Sequence, residues 1–291
     1  MISRFAFFGS PKFAEIILRK LISAGMSPAV VICNPDKPAG RKKIMTPPET
    51  KIMAQKHGIQ IYQPERLSAE AFESEVGNVD FAVVAAYAKI IPADILKLPR
   101  LGVIGVHPSL LPKYRGSSPI QTAILNGDEE TGVTLYKLDE KVDHGEIISS
   151  SKYPLSSTDT YETLEKKLAE LGGESLVETL PKFVSGEIKP EPQVESQATF
   201  TKKFKTEDGF VEYEILERAQ KDGGDIATKL DRMIRALSSE PGAWTLKRDG
   251  KPFSSTQGKR MKLLEAVLLN GKLKLKKIQI EGKKEQQMLV D

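Results

Sequence analysis

Short apolar runs alternate with amphipathic segments along the first half of the chain. The apolar runs lie at residues 2–8, 28–34, 80–87 and 102–107, and segments with helical spacing of apolar residues, such as the one ending near Leu21, lie between them. Buried strands that alternate with helices are typical of a parallel sheet with covered faces. The pattern predicts an α/β fold with a mostly parallel, open, Rossmann-like sheet flanked by helices.

The pattern changes after a helical stretch at residues 159–185. The next segment is rich in proline and polar residues, which predicts a linker over residues 189–204. Beyond it come short alternating runs, and KLKLKKIQI alternates apolar and basic residues as an exposed antiparallel strand does. We therefore predict a larger domain over residues 1–188 and a smaller, β-barrel-like (OB-like) domain over residues 205–291.

Residue counts argue against several classes of protein. Cys33 is the only cysteine and the chain has three histidines, so we expect no disulfide, no cysteine-built zinc site and no catalytic metal. No stretch approaches the roughly 20 apolar residues that span a bilayer. The start, MISRFAFFGS, does not look like a signal peptide. These features predict a cytoplasmic protein with no membrane partner.

Charge is unevenly distributed along the chain. Residues 1–200 carry 23 Lys and Arg against 25 Asp and Glu, whereas residues 201–291 carry 20 against 14. A basic C-terminal third fits a polyanionic partner such as nucleic acid. The alternative is an ordinary solvated surface, and the charge count alone favours that alternative.

Two side chains are the first candidates for chemistry. His107 ends an apolar run, at the carboxyl end of a predicted strand, where open α/β sheets bind their ligands. Asp143 lies on the turn-like segment EKVDHG, and a carboxylate there can hydrogen-bond an imidazole and favour its charged form. From the residues alone, a structural role for both remains the more common outcome.

A polar loop at residues 34–48 carries three consecutive basic residues, Arg41, Lys42 and Lys43. Placed after a strand, it would overhang the crevice, although such runs are usually only solvated. The chain lacks the dinucleotide-binding, P-loop and nucleophile-elbow motifs. Without an obvious nucleophile, direct transfer between two bound substrates fits better than a covalent intermediate.

The segment HPSLLPKYRGSSPIQTAILNGDEETGVTLYKLDEKVDHGEI resembles the core of the folate-dependent formyltransferases. Its SLLP and VDHG elements, at this separation, are specific to that family. The loop NPDKPAGRKK and the segments ATFTKKFKTEDGFVEY and LDRMIRALSSEPGAWT resemble a member of the family that acts on tRNA. The resemblance covers nearly the whole chain.

The resemblance implies transfer of a formyl group from 10-formyltetrahydrofolate to the α-amino group of methionine on initiator tRNA. His107 would face the negative oxygen of a tetrahedral intermediate, and Asp143 would support His107 and the proton transfers. The family motif has an asparagine two residues before the histidine, where this chain has Gly105. Either water or another donor fills the space left by Gly105, or the chain has lost catalytic power.

The resemblance also implies binding residues. The pterin ring of the folate would pair with backbone groups of the AKIIP stretch, and SLLP would form another wall; the residues concerned are Lys89, Ile90, Ile91, Ser109, Leu110, Leu111 and Pro112. The acceptor end of the tRNA would contact the basic loop, namely Arg41, Lys42 and Lys43. No metal is implied, and we expect a monomer without a stable protein partner.

Other interpretations remain open at this point. A sugar-nucleotide formyltransferase would share the N-terminal domain, but it would need neither the basic loop nor a basic domain behind the linker. A glycinamide ribonucleotide formyltransferase is usually one domain, which the residues after 200 argue against. A tRNA- or RNA-binding protein with reduced catalysis is suggested by Gly105.

Overall fold

The computed structural model describes residues 3–40, 42–238, 240–247 and 258–289 of the chain. The chain divides into two compact units. The first unit comprises residues 1–116, 130–154 and 165–200, and the second comprises residues 117–129, 155–164 and 201–291. The division between residues 200 and 201 falls inside the segment that the sequence predicts to be a linker.

The elements are numbered in chain order. The strands are β1 Phe5–Phe8, β2 Val30–Ile32, β3 Lys37–Ala39, β4 Ile44–Thr46, β5 Gln60–Tyr62, β6 Phe81–Val84, β7 Val103–His107, β8 Arg115–Gly116, β9 Glu130–Lys137, β10 Ile147–Pro154, β11 Phe200–Thr201, β12 Ala243–Lys247, β13 Lys259–Leu269, β14 Lys272–Ile280 and β15 Glu285–Gln287. The helices are α1 Lys12–Ser23, α2 Glu49–Lys56, α3 Ala69–Glu75, α4 Ala93–Leu96, α5 Pro119–Asn126, α6 Tyr161–Val184, α7 Tyr213–Lys221 and α8 Asp225–Ala236.

A central sheet organises the first unit. Within the described ranges it has seven strands, in the order β10-β9-β7-β6-β1-β2-β5. The pairs from β7 to β5 are parallel, whereas β9 and β10 add an antiparallel edge. The strands β1 and β2 are buried along their whole length because both faces of a parallel sheet are covered. The predicted mostly parallel α/β fold is confirmed.

The strand order reverses at β1, and the chain segments that leave β1, β2 and β6 converge there. Asn34 connects them: its backbone N–H donates to Oγ of Ser10 at 2.9 Å, and its Nδ2 donates to the carbonyl oxygen of Tyr87 at 3.0 Å. Such a switch point at the carboxyl edge is where open α/β sheets form a ligand crevice.

The second unit contains an antiparallel sheet in the order β12-β13-β14-β15 together with α7 and α8. The alternation of KLKLKKIQI appears in β14, where Leu273, Leu275, Ile278 and Ile280 are buried. They pack with helix residues such as Leu230 in one apolar core. The predicted second, mostly β fold in the C-terminal part of the chain is confirmed as an antiparallel sheet, whereas its predicted start at residue 205 stays a prediction.

Candidate active site

His107 is the last residue of β7 and is buried, with 7% of its surface exposed. Its Nε2 lies 2.9 Å from the carbonyl oxygen of Tyr114. Because a carbonyl oxygen can only accept, Nε2 carries the proton of this hydrogen bond. The other ring nitrogen, Nδ1, is the one that faces the second predicted catalytic residue.

Asp143 lies on the connection between β9 and β10, in a left-handed backbone conformation with φ of 49°. Its Oδ2 is 3.6 Å from Nδ1 of His107 and accepts a 2.7 Å hydrogen bond from the backbone N–H of Gly116. Its Oδ1 accepts a 2.6 Å hydrogen bond from the hydroxyl of Tyr136. The structure therefore brings together the histidine and the aspartate that the sequence singled out.

Gly105 pairs directly with Tyr136 across β7 and β9. A Cβ atom at position 105 would lie 2.7 Å from Cζ of Tyr136 and 2.6 Å from Cδ1 of Leu138, well inside normal contact distance. The Tyr136 ring also meets the His107 ring edge to face, with centroids 6.5 Å apart. A tyrosine from the neighbouring strand thus occupies the space beside Gly105, and its hydroxyl bonds Asp143.

The Tyr136 side chain is a donor throughout the ordinary pH range. Burial, together with the charge of Asp143 and the hydrogen bond to it, raises the pKa of the phenol well above its usual value. Sequence reasoning did not single out this residue. The available signal was its place in the alternating stretch TGVTLYK, but its partner across the sheet depends on a register that the sequence does not state.

A second layer of side chains supports the Asp143 turn. Nε2 of Gln193 donates to the carbonyl oxygens of Asp143 and Gly145, at 2.9 and 2.8 Å. The buried guanidinium of Arg115 donates to Oε1 of Gln193 at 2.8 Å and pairs with Glu195. The hydrogen bond from Arg115 lowers the pKa of Glu195. These residues lie partly in the predicted linker, so part of that segment contributes to the site.

Thr134, the residue opposite His107, fixes the SLLP segment. Its hydroxyl donates to the carbonyl oxygen of Ser109 at 2.7 Å and accepts from the backbone N–H of Leu111 at 3.0 Å. The Ser109 hydroxyl donates to the carbonyl oxygen of Lys113 at 2.6 Å. Ser109 and Leu111 are buried, and Leu110 and Pro112 are half-buried. The segment predicted to form this wall is thus hydrogen-bonded to strand β9 next to His107.

The predicted pterin-binding stretch follows β6. Nζ of Lys89 donates to the carbonyl oxygens of Pro64 and Glu65, Ile91 belongs to the core, and Ile90 is 93% exposed. Among the described residues, no backbone hydrogen bond to another part of the chain involves positions 89–91.

The predicted basic loop is a β-hairpin formed by β3 and β4, and not an irregular loop. Gly40 and Lys43 both have positive φ at its tip, where the N–H of Lys43 donates to the carbonyl oxygen of Gly40 at 3.2 Å. Lys42 and Lys43 are exposed, whereas Arg41 lies outside the described residues. The hairpin follows β2, which β6 and β1 separate from β7.

Two further properties concern metals and membranes. In the part of the chain that the structure describes, no three His, Cys, Asp or Glu residues are grouped as metal ligands. Likewise, none of the described helices is long and apolar enough to cross a lipid bilayer.

Comparisons with known proteins agree with this architecture. Residues 3–180 match the family model described as formyl transferase. A methionyl-tRNA formyltransferase from Halorhodospira halophila is 40% identical over 244 residues, which cover 84% of this chain and 76% of that protein.

Solved structures show the same fold. Methionyl-tRNA formyltransferase from Clostridium thermocellum is similar with a TM-score of 0.57 at 17% identity, over 96% of this chain and 99% of that one. HypX from Aquifex aeolicus, solved in complex with tetrahydrofolic acid, gives a TM-score of 0.64 at 18% identity, over 99% of this chain and 46% of that one. The chain belongs to the formyltransferase family, and several curated relatives at about 40% identity are methionyl-tRNA formyltransferases.

Proposed function

We propose that this enzyme transfers a formyl group from 10-formyltetrahydrofolate to the α-amino group of methionine on initiator tRNA. The observation that carries the proposal is the pairing of His107 with Asp143 at the carboxyl edge of the sheet, Nδ1 to Oδ2 at 3.6 Å, in a member of the formyltransferase family. The curated relatives named methionyl-tRNA formyltransferase favour this acceptor over others.

The chemistry requires a group that faces negative charge and a group that takes up a proton. Attack by an amine on a formyl carbon produces a tetrahedral intermediate with a negative oxygen and a positive nitrogen. In our proposal, the positive charge of a protonated His107 stabilises that oxygen, and Asp143 supports the charge on His107 and takes up the proton of the amine. Collapse of the intermediate then breaks the bond between the formyl carbon and N10 of the folate, and this proton passes to N10, so that tetrahydrofolate leaves. A fixed pair in a largely buried site suits this role, because its interactions are weakly screened there.

The donor site in our proposal lies between residues 89–91 and the SLLP segment. The backbone groups at 89–91, which have no backbone partner among the described residues, fit the polar edge of a pterin, and Leu110, Leu111 and Ile91 supply apolar surface. Ser109 and Pro112 complete the proposed wall. The tetrahydrofolic acid in the HypX structure supports a folate donor for this fold.

The acceptor site in our proposal includes the basic hairpin. Lys42 and Lys43 project from exposed positions, and Arg41 belongs to the same run of sequence. The excess of basic residues after position 200 adds a second surface for phosphate groups. We propose that both contact the tRNA.

The direct test is formylation by the purified full chain. The protein is incubated with 10-formyltetrahydrofolate and, separately, methionyl initiator tRNA, methionyl elongator tRNA and an amino-sugar nucleotide. We expect formyl-methionine on initiator tRNA and much slower reaction with the other two. Formylation of the amino sugar alone, or tRNA binding without formylation, would instead support one of the alternatives left open by the sequence.

A further inference from the structure

Tyr136 contacts Asp143 from strand β9, where it is 94% buried and its hydroxyl reaches Oδ1 at 2.6 Å. The other oxygen, Oδ2, accepts from the backbone N–H of Gly116 and faces His107. The carboxylate therefore holds one strong donor on each oxygen. Rotation about its Cβ–Cγ bond would break at least one of these charge-assisted hydrogen bonds.

The hydroxyl of Tyr136 acts on the carboxylate and not on a substrate. A phenol has one hydrogen to donate, and here that hydrogen is directed to Asp143. The imidazole ring of His107 meets the Tyr136 ring edge to face. Its Nε2 faces the carbonyl oxygen of Tyr114 and its Nδ1 faces Asp143, so neither nitrogen bonds Tyr136.

Gly105 makes this arrangement possible. Its backbone is buried directly opposite Tyr136, and any larger residue would place a Cβ inside the space that the ring fills. The two positions are therefore matched: Gly105 on β7 has no side chain, and Tyr136 on β9 fills the space with an aromatic ring that carries a donor.

We propose that Tyr136 is a positioning residue for formyl transfer: its hydroxyl holds Asp143 in the orientation that faces Nδ1 of His107, in space provided by Gly105. This inference rests on the proposed function. The inference explains why strand β7 carries a glycine at position 105. It also predicts that removal of the Tyr136 hydroxyl lowers turnover and leaves substrate binding unchanged.

The first test compares Tyr136→Phe with Tyr153→Phe, a matched control on strand β10 whose ring lies under Nζ of Lys167. Phenylalanine keeps the ring beside Gly105 and removes the hydroxyl alone. We expect kcat of Tyr136→Phe to fall about 10- to 100-fold, since small misplacements of catalytic groups have effects of this size. KM for both substrates should stay close to the wild-type values, as should kcat, KM and Tm of the control; Tm of Tyr136→Phe should fall by a few degrees, because the Asp143 carboxylate loses a charge-assisted hydrogen bond. A kcat within twofold of the wild type would overturn the proposal, because packing alone would then explain Tyr136.

The second test asks whether Tyr136 acts through Asp143. In a double-mutant cycle, Tyr136→Phe should lower kcat strongly in the wild-type background and by less than twofold in an Asp143→Asn background. An equal loss of kcat in both backgrounds would show that Tyr136 does not act through Asp143.

The third test needs no turnover and separates this inference from the proposed function. In protein labelled with [15N]histidine, the Nδ1 resonance of His107 should move in Tyr136→Phe and stay in place in Tyr153→Phe. Identical His107 resonances in the wild type and Tyr136→Phe would overturn the positioning role. Absence of Met-tRNA formylation by the wild type would overturn the proposed function, while the resonances would still decide whether Tyr136 holds Asp143.

Discussion

Nε2 of His107 donates its proton to the carbonyl oxygen of Tyr114 across 2.9 Å. Tyr114 adopts a left-handed conformation, and its own N–H is held by Oγ1 of Thr199 at 2.8 Å. The acceptor is therefore fixed, and so is the tautomer: a neutral His107 has its lone pair on Nδ1, toward Asp143.

Asp143→Asn tests the carboxylate directly. An amide has one acceptor oxygen, whereas the N–H of Gly116 and the hydroxyl of Tyr136 both require an acceptor at this position. The amide also lacks the charge that favours an imidazolium. We expect kcat to fall about 100-fold or more, with folate affinity little changed, in a rapid-quench formylation assay.

Asp139→Asn is a matched control for that variant. Asp139 lies on the same turn and bonds Nδ1 of His144, and not His107. Its kcat should remain within about threefold of the wild type. Equal losses in Asp143→Asn and Asp139→Asn would indicate that the turn as a whole, and not the Asp143 carboxylate, supports the reaction.

Gly105→Ala should destabilise the first unit because a Cβ there overlaps the Tyr136 ring and the Cδ1 methyl group of Leu138. Overpacking of this kind costs about 1–3 kcal/mol in the free energy of unfolding. Thermal and urea unfolding measure the effect. In a Tyr136→Leu background the same substitution should cost less, since the aromatic ring is gone while the Cδ1 methyl group of Leu138 remains; an unchanged cost would show that Leu138, and not Tyr136, excludes a side chain at position 105.

The basic hairpin is tested by replacing Arg41, Lys42 and Lys43 with alanine. Fewer cations displace fewer counterions from the nucleic acid, so both tRNA affinity and the slope of log K against log salt should decrease. Filter binding across a salt series measures both, with Lys166→Ala on helix α6 as an exposed control. Unchanged affinity and slope would show that the hairpin is only a solvated surface.

Cys33 provides a pH-dependent prediction. Burial raises the pKa of its thiol to about 11, against a side-chain hydrogen bond with Thr50 that lowers it. The folded state therefore favours the protonated thiol. The stability that Cys33 contributes by staying protonated is fully present below the pKa of its thiol in the unfolded chain, and it is lost as pH rises toward 11. Thiol-reagent titration near pH 8 should leave the folded chain unmodified; rapid modification would contradict a buried, protonated Cys33.

The sequence predicts where the site lies in the sheet better than it predicts the side-chain contacts within the site. A histidine at the end of an apolar run could be assigned to the carboxyl edge of a sheet because strand direction fixes that edge. Tyr136 and Gln193 could not be assigned, because their roles depend on the register between β7 and β9 and on the path of a segment that reads as a linker. Both are tertiary properties, and local composition does not encode them.

The catalytic role of His107 is tested most directly by the single-turnover formylation rate of His107→Ala on methionyl initiator tRNA, measured together with the dissociation constants of both substrates. A catalytic role of His107 predicts a rate lowered by about 10²–10⁴-fold, with both dissociation constants within about threefold of the wild type. A His107→Ala variant that is folded, binds both substrates and transfers the formyl group at a near-normal rate would contradict it.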